Sequence, residues 1–151
     1  MRDLRPMLIP LLLLAGCATD ASSPSGPGPS GPARLGGVDL SQPLRALGTE
    51  PFWSVDVSGP EMTFSGADRP TIRAAPARRT LFEDSVVYRG LTESGVELII
   101  TLEAEDCSDG MSDRTYPLTA RVTFGDDIRL SGCAASKAAI LSAGESGRVG
   151  G

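Results

Sequence analysis

Hydrophobic and polar positions alternate with a period of two through the middle of the chain. Trp53, Val55 and Val57 are separated by Ser54 and Asp56, Met62 and Phe64 by Thr63, and Val96, Leu98, Ile100 and Leu102 follow in the same phase. The clearest run is Leu118, Ala120, Val122 and Phe124, whose intervening Thr119, Arg121 and Thr123 are all polar. Such alternation predicts strands with one buried and one wet face. Turn residues fall between the runs: Ser58-Gly59-Pro60, Glu93-Ser94-Gly95 after Val86 to Leu91, and Gly125-Asp126 before Ile128 to Leu130. About seven short antiparallel strands and no convincing central helix predict an all-β domain, a small antiparallel β-barrel or sandwich. The stretch 66–84 carries no clear period, and only Thr71 to Ala74 is expected there, as an edge strand.

The two ends of the chain follow other rules. Arg2 and Arg5 precede an apolar run of eight residues, Met7 to Leu14, and Leu14-Ala15-Gly16-Cys17 closes it. Eight residues fall well short of the roughly 20 that cross a bilayer as a helix, so the segment is expected to be a cleaved signal peptide, 1–16. Its end resembles the lipobox of bacterial lipoproteins, which implies acylation of Cys17; the alternative is an ordinary cleavage site beside a free thiol. In those lipoproteins an Asp after the cysteine favours inner-membrane retention, whereas Ala18 stands here. The resemblance therefore implies the periplasmic leaflet of the outer membrane. Residues 17–37 comprise Cys17 and a stretch rich in Ala, Ser, Pro and Gly, with too little large apolar surface to fold, and are expected to form a flexible tether. The β domain is expected over 38–133. The Gly-, Ser- and Ala-rich residues 134–151 are expected to be a flexible tail, with a short helix over 135–143 packing through Ala138, Ile140 and Leu141 as the ordered alternative.

Composition narrows the chemistry. The chain has no histidine, which excludes imidazole-based nucleophile systems and imidazole-ligated metal or haem. Its net charge is −5, and loss of two Arg and one Asp with residues 1–16 takes the mature chain to −6. An acidic chain without a clustered basic footprint argues against nucleic-acid binding. Once Cys17 is acylated, Cys107 and Cys133 remain as an even pair in an oxidising compartment. If the strand before residue 105 runs up, the next runs down and the last returns up, so both cysteines arrive at one end of the sheet. A structural disulfide is expected.

The segment Asp106-Cys107-Ser108-Asp109-Gly110-Met111-Ser112-Asp113-Arg114 places three carboxylates in one loop. Its spacing fails the calcium-loop pattern, no bidentate Glu follows, and Arg114 is expected to pair with one of its carboxylates, so no metal is expected. It is instead a candidate binding loop through Asp106, Asp109, Asp113 and Arg114, with Asp109-Gly110 a turn. Glu50 and Trp53 in Gly48-Thr49-Glu50-Pro51-Phe52-Trp53 suit either the grip of a glycan or peptide or a core position for Trp53, and the core is favoured because Trp53 shares a phase with Val55 and Val57. Nothing in the spacing supports Glu50 and Asp109 as a catalytic pair. Ser136-Lys137 lies where no oxyanion site can be preorganised.

Taken together, GTEPFW at 48–53, CSDGMSDRTYPLTARV at 107–122 and SGCA at 131–134 resemble motifs of small proteobacterial lipoproteins of unknown function. The resemblance implies a secreted, lipid-anchored β domain with paired cysteines, and carries no activity or cofactor. A looser likeness, in size, disulfide and anchor, is to the small β-barrel lipoproteins that inhibit lysozyme. The expected role is non-enzymatic: a lipid-anchored envelope protein that binds or supports a periplasmic protein or cell-wall partner through the 107–113 loop. The alternative is an inhibitor of a lysozyme-like wall-degrading enzyme.

Overall fold

In the computed structural model residues 33–150 are described, and the architecture that follows is theirs. The expected signal peptide, Cys17 and most of the expected tether lie outside the described residues. Thirteen strands and one short helix occur in chain order: β1 Arg34–Leu35, β2 Val38–Asp39, β3 Leu44–Thr49, β4 Phe52–Ser58, β5 Glu61–Gly66, β6 Arg69–Leu81, β7 Ser85–Thr92, β8 Glu97–Glu103, β9 Cys107–Ser108, β10 Asp113–Tyr116, β11 Leu118–Phe124, β12 Ile128–Ser136, α1 Lys137–Ser142 and β13 Ser146–Arg148. Eight of them close an antiparallel barrel in the order β11-β12-β3-β4-β5-β6-β7-β8. Each long strand pairs with its neighbours along the chain, and β12 closes on β3 from Cys133↔Leu47 to Ser136↔Leu44. The barrel, not the sandwich, is the outcome.

Closure follows from the alternation. Leu44 and Ala46, Trp53 to Val57, Met62 and Phe64, Leu98 to Leu102, and Leu118 to Val122 all bury one face of their strands, filling the interior as small barrels require. Trp53 is buried, as expected for the core. Its indole lies across β3 and β12, where two glycines make room. A methyl group on Gly48 would collide with Nε1 of Trp53, and one on Gly132 would strike the Leu47 carbonyl oxygen and come within 2.9 Å of the ring. The GTEPFW and SGCA segments thus meet on one side chain.

The upper end of the barrel, where β3 begins and β12 ends, is plugged. The chain first forms the hairpin β1-β2, whose Gly36 and Gly37 turn has positive φ at both residues. Leu35, Val38 and Leu40 insert into the core, and Arg79 donates to the Leu40 carbonyl at 3.0 Å. The hairpin occupies part of the segment expected to be tether, because Leu35 and Val38 supply the large apolar surface the preceding residues lack. The lower end carries the β3-β4, β5-β6, β7-β8 and β11-β12 turns.

Three further expectations are corrected. Residues 66–84 hold not a short edge strand but β6, thirteen residues long and paired on both sides. Its period is hidden because Ala74 is its only buried residue, and because the register shifts between Ala75 and Arg78 around Pro76, a residue with no N–H to give a ladder. Of the expected tail 134–151, the described residues 134–150 are not free. β12 runs on to Ser136, whose hydroxyl caps α1 by accepting from the Ala139 N–H at 3.1 Å; β13 then pairs in parallel with β10, burying Val149. Within α1 it is Ile140 that packs, while Leu141 is exposed.

Candidate functional site

Residues 104–117 leave the barrel between β8 and β11 as a flap across the outside of β12 and β3. The outward phase of those strands is apolar here: Cys133 and Ala135 are buried with Tyr116, Ile140 and Val149, and Leu47 and Cys107 pack beside them. This is a second, smaller core outside the barrel wall. The expected disulfide joins its two layers, Cys107 in the flap to Cys133 in β12, with Cα atoms 5.4 Å apart.

Asp109 shapes the flap's tip. Its carboxylate accepts from the Met111 N–H at 3.0 Å, from the Ser112 N–H and hydroxyl at 2.8 Å each, and from the Tyr116 hydroxyl at 3.0 Å. Partial burial pushes the carboxyl up, but the Ser112 and Met111 amides and the two hydroxyls outweigh it and bring it down to about 2. The same tip is held to the barrel by Thr49, whose hydroxyl donates to the Asp109 carbonyl at 3.1 Å. The flap therefore hangs down the outer wall as far as the lower end.

The other loop residues separate. Asp106 forms a two-pronged pair with Arg148 at 2.7 and 2.8 Å, a partner supplied by β13. That pairing holds the exposed Asp106 carboxyl below its usual range. Arg114 pairs with no carboxylate among the described residues. It donates to the carbonyls of Gly144 at 2.6 Å and Ala143 at 3.4 Å, because the C-terminal end of α1 lies beside β10 and offers carbonyls without helical partners. Asp113 is exposed and its side chain makes no hydrogen bond within the described residues. Three of the four candidate loop residues thus serve three different contacts and Asp113 serves none, so they do not form one site. On the helix side, Lys137 pairs with Asp56 at 2.7 Å and Ser136 is spent on the cap, so the Ser136-Lys137 neighbours share no reaction geometry.

Two concavities meet at the lower end. The first, about 450 Å³, is a groove between the flap and the outer wall, lined by Leu47, Thr49, Phe52, Ser54, Ser65, Asp109, Arg114 and Tyr116 among others. The second, about 360 Å³, is the lower mouth of the barrel, lined by Phe52, Trp53, Phe64, Asp68, Arg69, Ile128 and Leu130 with the adjoining turn. Phe52 belongs to both and is 57% exposed. Its signal was present in the sequence: it stands in the opposite phase to Trp53, so a large aromatic had to point outward. Met111, also exposed, lies at the flap's tip beside the same end. Glu50 sits in the turn before Phe52, exposed. It shares this end with Asp109, but a carboxyl held near 2 stays ionised at neutral pH and cannot act as the acid of a hydrolytic pair.

No cluster of three or more metal-ligating side chains occurs among the described residues, and no described helix is long and apolar enough to cross a membrane. Comparison with protein-family models, with curated proteins and with solved structures gives no match.

Proposed function

We propose that the protein is a non-enzymatic envelope lipoprotein, anchored through an acylated Cys17 to the periplasmic leaflet of the outer membrane, that binds a periplasmic protein or cell-wall partner at its lower end. The observation that carries this reading is the placement of the two concavities. They adjoin at Phe52, at the end of the barrel opposite the hairpin through which the chain arrives from Cys17. The tether joins the barrel at its plugged end, so the attachment leaves the other end unobstructed for a partner. A photoreactive residue introduced at Met111 or Phe52 of the lipidated protein in intact envelopes should capture the same partner, while one at Arg89, on the far wall, captures none. Equal capture at all three positions, or none at any, overturns the reading.

The charge of that end favours a second reading, the inhibitor of a lysozyme-like enzyme. Glu50, Asp68, Asp126 and Asp127 are all exposed there, and the mature chain is acidic as a whole, which steers a cationic partner toward this end. Purified protein should then slow wall lysis by a cationic lysozyme, and joint Asp126→Asn and Asp127→Asn substitution should weaken the effect.

A further inference from the structure

The lower mouth shares Phe52 and Trp53 with the flap groove and has Phe64 to itself. Three of its walls are aromatic, Phe52, Trp53 and Phe64, and Ile128 and Leu130 close it from β12. Its volume, about 360 Å³, suits a single side chain or a small ligand. The interior leaves this hollow because Gly48 and Gly132 let the Trp53 ring lie flat against the wall instead of standing in the mouth.

The charges around the mouth have a sign. Asp68 lies on its lining, Glu50 precedes Pro51 of the lining, and Asp126 and Asp127 precede Ile128. Glu93 stands in the next turn around the ring, and Glu97 is engaged with Arg89. Against these stand Arg69, on the lining, and Arg129, whose guanidinium is turned onto the carbonyls of Gly125 and Ile128. Aromatic walls under an acidic rim attract a cation that carries an apolar stem, through the negative faces of the rings and the carboxylates above them. We propose that the lower mouth binds the side chain of a lysine presented by the protein partner. The proposal rests on the reading that this end is the binding end, and it names the chemistry the partner must offer.

The sole tryptophan of the chain lines the mouth, so its emission reports occupancy without a label. The full β domain is titrated at constant ionic strength with N-acetyl-lysine methylamide, with the norleucine derivative, which keeps the stem and lacks the charge, with butylammonium and with hexanoate. The lysine derivative should give a saturable change and bind at least fivefold more tightly than the norleucine derivative. Joint Asp68→Asn and Asp127→Asn substitution should weaken it severalfold, and Arg69→Ala should strengthen it; these positions are exposed, so the fold is retained. Norleucine binding as tightly as lysine, hexanoate binding that Arg69→Ala abolishes, butylammonium binding without the lysine derivative, or no saturable change up to about 100 mM would each overturn the proposal. The titration needs no partner, so its failure is distinguishable from failure of the crosslinking experiment.

Discussion

Replacing Gly48 by alanine puts a methyl group into the indole of Trp53, whereas the same change at Gly132 drives it first into the backbone carbonyl of Leu47. Both should destabilise the domain by about 1–3 kcal/mol through overpacking. Only the first should be relieved by shrinking the ring. In urea unfolding, Gly48→Ala combined with Trp53→Leu should be more stable than the sum of the single changes, while Gly132→Ala with Trp53→Leu should show little such coupling. Asp109 provides the second test at this scale. Its carboxyl titrates near 2 in the folded chain against an ordinary value of 3.8, so its contribution is complete above pH 4 and is lost as the pH falls toward 2. The residue is partly exposed, and Asp109→Ala should cost about 1 kcal/mol at neutral pH. That penalty, measured by denaturant unfolding, should shrink steadily below pH 4 and become small near pH 2. Trp53 was legible as a core residue because its phase matched Val55 and Val57. The partners of Asp106 and Arg114 were not, since both come from residues 143–148, whose small side chains conceal an ordered segment.

Between elements, the flap and the barrel are joined by one covalent bond and a small apolar layer. Breaking that bond by joint Cys107→Ala and Cys133→Ala substitution removes a crosslink between positions 26 apart and should lower stability by about 3 kcal/mol. The loss should be local in character. Amide exchange over 105–116 should accelerate far more than in β4 or β5, whose ladders stay intact. On the opposite wall Arg78 and Arg89 face each other directly across β6 and β7, an unfavourable pairing of like charges. Arg78→Glu should therefore raise stability by about 0.5 kcal/mol, read as a shift in the urea midpoint. The strands that alternate cleanly, β4, β5, β8 and β11, could be read from sequence because each has one wet face. β6 could not, since its bulge breaks the phase and its residues are almost all exposed. The two-stave uncertainty between barrel and sandwich had a physical source as well: both bury one face of each strand, and only the pairing of β12 with β3 distinguishes them.

At the scale of the whole molecule, the proposed anchor can be tested separately from the proposed binding end. Cys17→Ser should release the protein from sedimenting membranes without changing the melting of the barrel, as fractionation and thermal unfolding would show together. Closure itself has a consequence in time. The first stave of the barrel, β3, is hydrogen-bonded to the last, β12, so a growing chain carries two unsatisfied margins until residue 136 exists. Contacts between the first and last staves are the most distant in sequence that the barrel makes, and they are the slowest kind to form. The cysteine that locks the flap stands on that last stave, so the covalent link also waits for β12. A chain truncated before β12 would be an open, curling ribbon with two adhesive borders, prone to pair with another copy of itself rather than to fold.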